Sequence, residues 1–470
     1  MNERTIAASV GPPTLRRALG LPQLIIYGLV LIQPTAPMPL YGEASRVANG
    51  HVVTLILIGL VAMLFTALSY GRMANAYPAA GSAYTYVGRE LHPALGYLTG
   101  WSMMFDYVMN PIICVIWCSK ATVDVVIWFS AANPELAFFA RATMPAWFVA
   151  YALLFTGLNL RGIQASARTN NLIAGGLCLV LILFFIAAIR HLAQSTAVDA
   201  AALTHPFYNP DTFSWKALSN GAALAVLTYI GFDGISTLSE EVHNPRRNVL
   251  LATVLVYFII GVLSAAEVYV AQLVWPEPAS TFTSLENAFA HVAKRVGGPT
   301  MFVIVTASLV VASMGSGMGA HLGASRLLYG MGRDDAIPKR FFGQLHPRTR
   351  IPANNILLVG GIALVGAFVL DYDERGYALG AQLLNFGALA GFMGVNLSAL
   401  THYYVRGRDR RLRHLVPPIL GFLICFYLWA SLAAIALCIG LAWLGLGVLY
   451  GGWRTNWYRR PLRMFTADES

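Results

Sequence analysis

The chain has 470 residues, of which 57% are hydrophobic and only 11% are charged. With a mean hydropathy of +0.60, this composition excludes an ordinary soluble protein and indicates a membrane protein with several spans. The formal net charge is +10, but the basic residues fall in short loops between apolar segments. That distribution reflects membrane topology and argues against a nucleic-acid partner.

Twelve spans are predicted from apolar windows long enough to cross about 30 Å of hydrocarbon. The first window has no small-residue cleavage site, so we expect it to remain as the first span. The predicted organisation is a cytoplasmic tail over 1–20, a single transmembrane domain over 21–454 and a second cytoplasmic tail over 455–470. The spans are predicted to begin near Leu21, Val52, Leu95, Pro145, Asn170, Leu218, Asn248, Thr300, Asn354, Leu379, Leu415 and Ala433.

Loops that contain several cations alternate with loops that contain few. The positive-inside rule makes the cation-rich side cytoplasmic and places both termini inside. The cations of that side are Arg72, Arg89, Arg161, Arg168, Arg246, Arg247 and those of the stretches 333–350 and 406–413.

The first span contains the run GLVLIQPTAPMPLYGEASR, in which Pro34, Pro37 and Pro39 fall within six residues. Each proline removes a backbone donor and clashes with the preceding turn, so a continuous helix is excluded at this density. We therefore expect the first span to be interrupted here.

The sixth span, from Leu218 to Asn244, carries Asp233 between Gly231 and Gly234. A charge near the bilayer centre costs at least about 2.5 kcal/mol. The glycines favour a break in the helix, which frees backbone carbonyls and amides that bind a ligand only where they line a cavity. This stretch is predicted to form half of a substrate site.

Five spans separate the starts of the two broken segments. Interrupted spans at corresponding positions of two five-helix halves indicate inverted repeats with a binding site between them. The repeats are predicted over about 21–192 and 216–406, with helices 11 and 12 over about 414–454. The alternative is that both interruptions are kinks in a packed bundle, but the matching spacing favours repeats.

Several motifs stand together in a recognisable order. They are LFTALSYGRMANAYPAAGSAYTYVGREL from Leu64, GWSMMFDYVMNP from Gly100, YIGFDGISTLSEEVHNPRRN from Tyr229, HLGASRLLYGMGRDDAIPKRFF from His321 and LLNFGALAGFMGVNLSAL from Leu383. With them the chain resembles the amino acid/polyamine/organocation transporter superfamily, and within it the bacterial putrescine importers. The resemblance implies an all-α, LeuT-like fold of five plus five inverted helices in the bacterial inner membrane.

The resemblance also implies secondary active import of a small organic cation, with putrescine as the leading candidate, by alternating access with proton symport or exchange. The alternative within transport is a neutral or cationic amino-acid permease. A membrane enzyme or a sensor is a further alternative, although the spans show no nucleophile–base pair, metal cluster or phosphate loop. We expect no cofactor and no metal; the expected partners are the small-molecule substrate, the lipid bilayer and protons.

The two substrate classes require different sites. An amino acid's carboxylate can be held by free amides at the start of a half-helix, whereas a diamine needs anions, carbonyls and aromatic faces. Asp233 is predicted to bind an ammonium group or to cap the second half-helix, and Asp106 to be a deep ammonium ligand or a buried packing residue. The other predicted binding residues are Pro34, Thr35, Tyr107, Gly231, Phe232 and Gly234.

Glu240 and Glu241 follow Asp233 on the cytoplasmic side. An α-helix would place Glu240 on the face of Asp233, about 10 Å away. The two glutamates are therefore predicted to bind a second ammonium group or to form an inner gate. The alternative for both glutamates, and above all for Glu241, is a cytoplasmic salt-bridge cluster with Arg72, Arg246 or Arg247.

The remaining polar features are predicted to be structural. Glu267 in the seventh span has no supporting motif, so we expect an ordinary polar contact. The segment Ser313–Gly319, SMGSGMG, is typical of close helix packing. All five cysteines lie in apolar windows and are expected to be buried free thiols.

Overall fold

The computed structural model describes residues 19–457, apart from 79–80, 130–134, 136–141, 162, 195–199, 283–284, 286, 374–375, 408–410 and 456. Its secondary structure is helical, with one isolated bridge between Leu19 and Val242. The α-helices are α1 Leu21–Ile32, α2 Tyr41–Val47, α3 Val52–Ala76, α4 Ser82–Glu90, α5 Pro93–Phe129, α6 Met144–Leu160, α7 Ile163–Gln194, α8 Ala200–Thr204, α9 Trp215–Leu227, α10 Pro245–Val274, α11 Ala288–Arg333, α12 Lys339–Phe342, α13 Ala353–Asp371, α14 Gly376–Leu400, α15 Leu412–Ala430 and α16 Ala434–Arg454. Two 3₁₀ helices, Phe232–Glu241 and Ala279–Thr281, and a π-helical turn, Thr401–Val405, complete the described elements.

Nine helices in the described part of the chain are long and apolar enough to cross a membrane. Three shorter apolar helices, Leu21–Ile32, Met144–Leu160 and Leu224–Ser239, fall at the first, fourth and sixth predicted spans. The prediction of an all-α protein with many membrane spans is confirmed, and the count of twelve stays a prediction.

The first span is broken where its prolines predict. Helix α1 ends at Ile32, Gln33 adopts φ 76°, and the helix resumes as α2 at Tyr41. The intervening residues form turns. The break leaves backbone groups of this segment without helical partners.

The sixth span is broken at Gly231. Helix α9 ends at Leu227, and Gly231 has φ 117°, a conformation that side-chain-bearing residues rarely adopt. The chain then continues as the 3₁₀ helix Phe232–Glu241 instead of an α-helix.

Hydroxyl side chains account for the tighter helix. Ser236 Oγ donates to the carbonyl of Asp233 at 2.6 Å, Thr237 Oγ1 to that of Gly234 at 2.7 Å and Ser239 Oγ to that of Ser236 at 2.5 Å. Such local bonds compete for the carbonyls that an α-helix would use. The serines and threonine thus favour a helix with about three residues per turn.

The two broken spans pack closely against each other. A Cβ atom added to Gly28 of α1 would lie 2.6 Å from Ile235 Cδ1 and 2.9 Å from Val256 Cγ2. A Cβ on Gly234 would lie 2.4 Å from Leu31 Cδ2. Glycine at both positions therefore lets α1, the 3₁₀ helix and α10 approach closely without displacing these side chains.

The cation-rich segments meet at one end of the bundle, here called the basic end. Arg72 donates to the carbonyl of Arg413 at 2.8 Å, and Arg454 pairs with Asp335 at 2.5 Å. The backbone amide of Leu19 donates to the carbonyl of Glu241 at 3.0 Å at the same end. The shared location agrees with the predicted grouping of the arginine-containing loops.

The predicted cation-poor segments meet at the opposite end. Asn49 donates to the carbonyl of Thr212 at 3.3 Å, and Lys120 pairs with Asp371 at 3.4 Å. Near this end, two hydrogen bonds from Arg295 lower the pKa of Glu277. Two ion pairs, Lys120–Asp371 and Arg295–Glu277, therefore lie at or near this end.

Two cysteines differ from the prediction of buried thiols. Cys114, Cys118 and Cys425 are buried, but Cys178 and Cys438 are exposed on the helix surface. An apolar window has the same composition whether a residue faces lipid or the protein interior, so it does not separate these cases.

Candidate functional site

A small cavity lies where α1, α5, the 3₁₀ helix and α11 meet. Its volume of about 20 Å³ is enough for about one water molecule. The residues that line it are Tyr27, Leu31, Asp106, Tyr107, Asn110, Ile230, Gly231, Asp233, Gly234, Thr237, Ser316, Gly319, Ala320 and Gly323. Both aspartates that the sequence singles out therefore line the cavity, together with Tyr107, Gly231 and Gly234.

Asp233 is fully buried at the start of the 3₁₀ helix. Its Oδ2 accepts a hydrogen bond from the hydroxyl of Tyr107. Its Oδ1 lies near the backbone amides of Gly231, Asp233 and Gly234 but forms no hydrogen bond of normal geometry with a described residue. One carboxylate oxygen is thus left free for a ligand.

Asp106 lines the same cavity from α5 and is 2% exposed. No hydrogen bond or ion pair joins its carboxylate to another described residue. Gly387 of α14 packs behind it, since a Cβ there would lie 2.6 Å from the amide nitrogen of Asp106. The helix backbone is therefore firmly held while the carboxylate faces the cavity.

The electrostatics of this cavity favour a positively charged ligand. Neither Asp106 nor Asp233 forms an ion pair with a described cation. Buried carboxylates are costly unless they are paired, coordinated or protonated. The pair of acids is therefore suited to bind ammonium groups or protons.

Four polar residues of the cavity wall, Tyr27, Asn110, Thr237 and Ser316, were not predicted as binding residues from the sequence. Asn110 lies four residues after Asp106 on the same face of α5, a spacing that would have identified it. Ser316 comes from the small-residue segment predicted for packing. That segment serves both purposes: Gly317 packs against Phe155 and Cys114, while Ser316 and its neighbours line the cavity.

Three predicted binding residues lie outside the cavity wall. The ring of Phe232 is fully buried and packs edge-on against Tyr70, with centroids 5.4 Å apart, and beside Phe392 at 5.1 Å. Pro34 and Thr35 are buried in the break of the first span, and the hydroxyl of Thr35 has no hydrogen-bond partner. The structure therefore does not place these three residues on the wall of the cavity that Asp233 lines.

A second cavity, of about 100 Å³, adjoins the first on the side away from the basic end. The two share Asn110, Ile230 and Ser316. Gln33 and Pro39 of the broken first span line the second cavity, together with Tyr377 at the start of α14. The break in the first span therefore borders a space that leads toward the aspartates.

A buried salt bridge lies between the small cavity and the basic end of the bundle. Glu241 pairs with Arg326 of α11 at 2.8 Å, and both side chains are 8% exposed. Leu19 lies beside this pair: its backbone carbonyl accepts a hydrogen bond from the backbone amide of His243 at 2.8 Å. This buried pair is the first charged layer beyond the cavity on that side.

Glu241 thus forms a salt bridge, as one of its predicted roles required, but the predicted partners Arg72, Arg246 and Arg247 are wrong. The physical reason is the 3₁₀ helix, which turns about 120° per residue instead of 100° and so rotates Glu241 toward α11. The same geometry puts Ser236 and Ser239 on the face of Asp233. The side chain of Glu240 is outside the described part of the structure.

A bundle with two broken spans around a buried acidic cavity defines a polytopic membrane transporter. The chain belongs to the amino acid permease family, whose pattern it matches over residues 24–446. It is 33% identical to the low-affinity putrescine importer PlaP of Escherichia coli over 96% of both chains. It is also similar to the methylthioribose transporter of Bacillus subtilis, at 25% identity over 95% of both chains, and to the branched-chain amino acid permease BcaP of that organism, at 23% over 94% of both.

Proposed function

We propose that the protein is a secondary active transporter that imports a small organic cation, with putrescine as the leading substrate, by proton coupling or exchange. The observation that supports this most is the placement of Asp106 and Asp233 in one buried cavity without a described cation beside either. A ligand with ammonium groups would satisfy both carboxylates. The similarity to a putrescine importer supports the same choice.

The cavity walls fit a ligand with a hydrocarbon body and charged ends. Leu31, Ile230 and Ala320 provide apolar surface between the two acids. Asn110 and Ser316 connect this space to the larger neighbouring cavity. The small cavity holds about one water molecule as it stands, so a four-carbon diamine would extend from the aspartates into the adjoining cavity of about 100 Å³, with its methylene groups against apolar side chains.

We infer that Glu241 and Arg326 form the inner gate. Both charges are buried, so separating them exposes each to a large desolvation cost unless water enters at once. An ammonium group that leaves Asp233 could replace Arg326 at Glu241 during inward opening. Glu240 remains a predicted second ligand on the same route.

The proposed arrangement in the membrane is twelve spans, with a five-plus-five inverted repeat and helices 11 and 12 outside it. The basic end is cytoplasmic under the positive-inside rule, so both termini lie inside the bacterial inner membrane. In this orientation the Glu241–Arg326 pair closes the cytoplasmic side, and the cavity bordered by Pro39 lies toward the exterior.

An amino-acid permease is the second candidate. The backbone amides of Gly231, Asp233 and Gly234 lie near the Asp233 carboxylate at the start of a helix. Such amides can hold a substrate carboxylate. The similarity to a branched-chain amino acid permease is in keeping with this reading.

Uptake by the purified protein in liposomes tests the proposal. Radiolabelled putrescine is expected to accumulate, unmodified, when an acidic exterior is imposed or when unlabelled putrescine is trapped inside. Uptake of amino acids in place of putrescine would favour the second candidate. Chemical change of the substrate, or no uptake of any compound, would contradict transport itself.

A further inference from the structure

A second buried acid lies outside the substrate cavity. Glu267 is on α10 and is fully buried, yet neither carboxyl oxygen has a hydrogen-bond partner among the described residues. Ser264, one turn earlier on the same helix, also has a hydroxyl without a partner. An ordinary polar contact, expected from the sequence, is therefore not found for Glu267.

The position of Glu267 along α10 can be related to the broken first span. The two elements start together, because Leu19 and Val242 form a parallel bridge. Val256 of α10 contacts α1 at Gly28. Glu267 comes eleven residues after Val256, or about three turns, so it lies on the same face about 16 Å further along.

At that height the first span is no longer helical. Helix α1 ends four residues after Gly28, which is about 6 Å along its axis. Continued along the axis, the face of α10 that carries Glu267 therefore reaches the height of the interrupted segment 33–40. Thr35, whose buried hydroxyl also has no partner, belongs to that segment.

Charged neighbours do not compensate Glu267. Helix α10 packs against α1, α3, α7, the longer 3₁₀ helix and α11. No described side chain of these elements forms a hydrogen bond or ion pair with Glu267. The titratable groups on their middle and outer parts are Tyr27, Tyr70, Cys178, Arg190, His191, Asp233, His291, Lys294 and Arg295.

An ionised carboxylate without a cation or donor side chain beside it is costly in such a place, so the group takes up a proton instead. We propose that Glu267 is a proton-binding site that couples transport to the proton gradient. The proton enters from the outer aqueous phase and binds a carboxylate oxygen in the inside-closed state. When segment 33–40 moves in the inward-open state, water that enters from the cytoplasmic side past the separated Glu241–Arg326 pair reaches the carboxyl group, and the same proton leaves to that side.

The coupling role depends on the proposed transport function, whereas the proton-binding role does not. Difference infrared spectroscopy of the purified full-length protein measures proton binding by Glu267 directly. The wild-type protein is expected to show the carbonyl stretching band of a protonated carboxylic acid without hydrogen bonds, and Glu267→Gln is expected to lack that band. A spectrum unchanged by the substitution would overturn the proposal.

Liposome transport measures the coupling role. With an imposed gradient of one pH unit and the membrane potential held at zero, one coupled proton per substrate supports about tenfold accumulation. Glu267→Gln is expected to reduce the accumulation ratio of radiolabelled putrescine to about one. Putrescine–putrescine counterflow, which needs no proton release, should stay within about twofold of the wild type.

The control is Glu43→Gln, which removes a carboxylate that is 40% exposed and paired with Arg46. It should retain both gradient-driven accumulation and counterflow. Gradient-driven accumulation by Glu267→Gln, or loss of counterflow together with accumulation, would contradict a coupling role. Absence of putrescine counterflow in the wild type would refute the proposed substrate while the infrared band still reported on Glu267.

Discussion

The hydroxyl of Tyr107 on α5 donates a hydrogen bond to Asp233 at the start of the 3₁₀ helix. The bond joins the third span to the broken sixth span across the acidic cavity. Gly323 of α11 leaves room for the tyrosine ring, because a Cβ there would lie 3.2 Å from Tyr107 Cε1. The tyrosine therefore orients the carboxylate while the other carboxylate oxygen stays free.

Tyr107→Phe tests this orienting role. The loss of one hydrogen bond to a charged group costs about 1.5–3 kcal/mol, so we expect the KM for putrescine to rise by about tenfold or more while the protein remains folded. Tyr229→Phe is the matched control, since its hydroxyl donates at 2.7 Å to the carbonyl of Ile56 away from the cavity. Equal KM values for Tyr107→Phe and wild type would contradict the orienting role.

The two acids of the cavity are expected to be required for uptake. Asp233→Asn and Asp106→Asn keep the side-chain shape but remove the charge that would attract an ammonium group. Each should reduce putrescine uptake by at least about tenfold, measured in liposomes with equal amounts of inserted protein. Asp371→Asn, which affects the partly exposed pair with Lys120, should leave uptake near normal.

The two substitutions can reduce uptake for different reasons, through folding or through binding. If Asp106→Asn lowers only the amount of inserted protein, its role is structural. Near-normal uptake by Asp233→Asn would remove Asp233 from the binding site.

The gate is tested by access from the cytoplasmic side. Glu241→Gln should weaken the bond to Arg326 and favour inward opening. A cysteine at Thr237, which lines the small cavity, should then react faster with a membrane-impermeant reagent applied to the cytoplasmic side. The five native cysteines are replaced beforehand.

Glu277→Gln serves as the control for this gate, because it disrupts the Arg295 pair at the opposite end. It should not change the labelling rate of the cysteine at Thr237. Unchanged labelling in Glu241→Gln as well would show that the buried pair does not close the pathway.

The topology is tested by labelling the loops. A cysteine at Arg408, which lies outside the described residues, should be labelled from the cytoplasm. One at Asp373 should be labelled from the outside. Reaction of both from the same side would be incompatible with twelve spans and internal termini.

The breaks could be predicted from the sequence because their causes are local. Pro34 and Gly231 act through their own backbone geometry, and the structure interrupts the helix beside each. Asp106 and Asp233 could also be identified, since the cost of a buried charge does not depend on knowing the neighbouring helices. The meeting of these two acids in one cavity required the structure.

The directions of neighbouring side chains could not be predicted in the same way. The predicted pairing of Glu241 assumed α-helical geometry, but Ser236 and Ser239 favour a 3₁₀ helix and turn the glutamate toward Arg326. Phe232 is adjacent to Asp233 in sequence but points into an aromatic cluster. The serine and threonine residues are evident in the sequence. Their effect on the rotation of side chains around the helix axis required the structure.

Competition between putrescine and ornithine tests the central claim most directly. Ornithine has a similar reach but adds a carboxylate, which would face Asp106 or Asp233 in a cavity that these acids make negative. In liposome uptake of radiolabelled putrescine, unlabelled putrescine is expected to compete better than ornithine, and ornithine better than neutral amino acids. Competition by ornithine or a neutral amino acid at least equal to that of putrescine would contradict a diamine site and support binding of a carboxylate by the backbone amides of the broken spans.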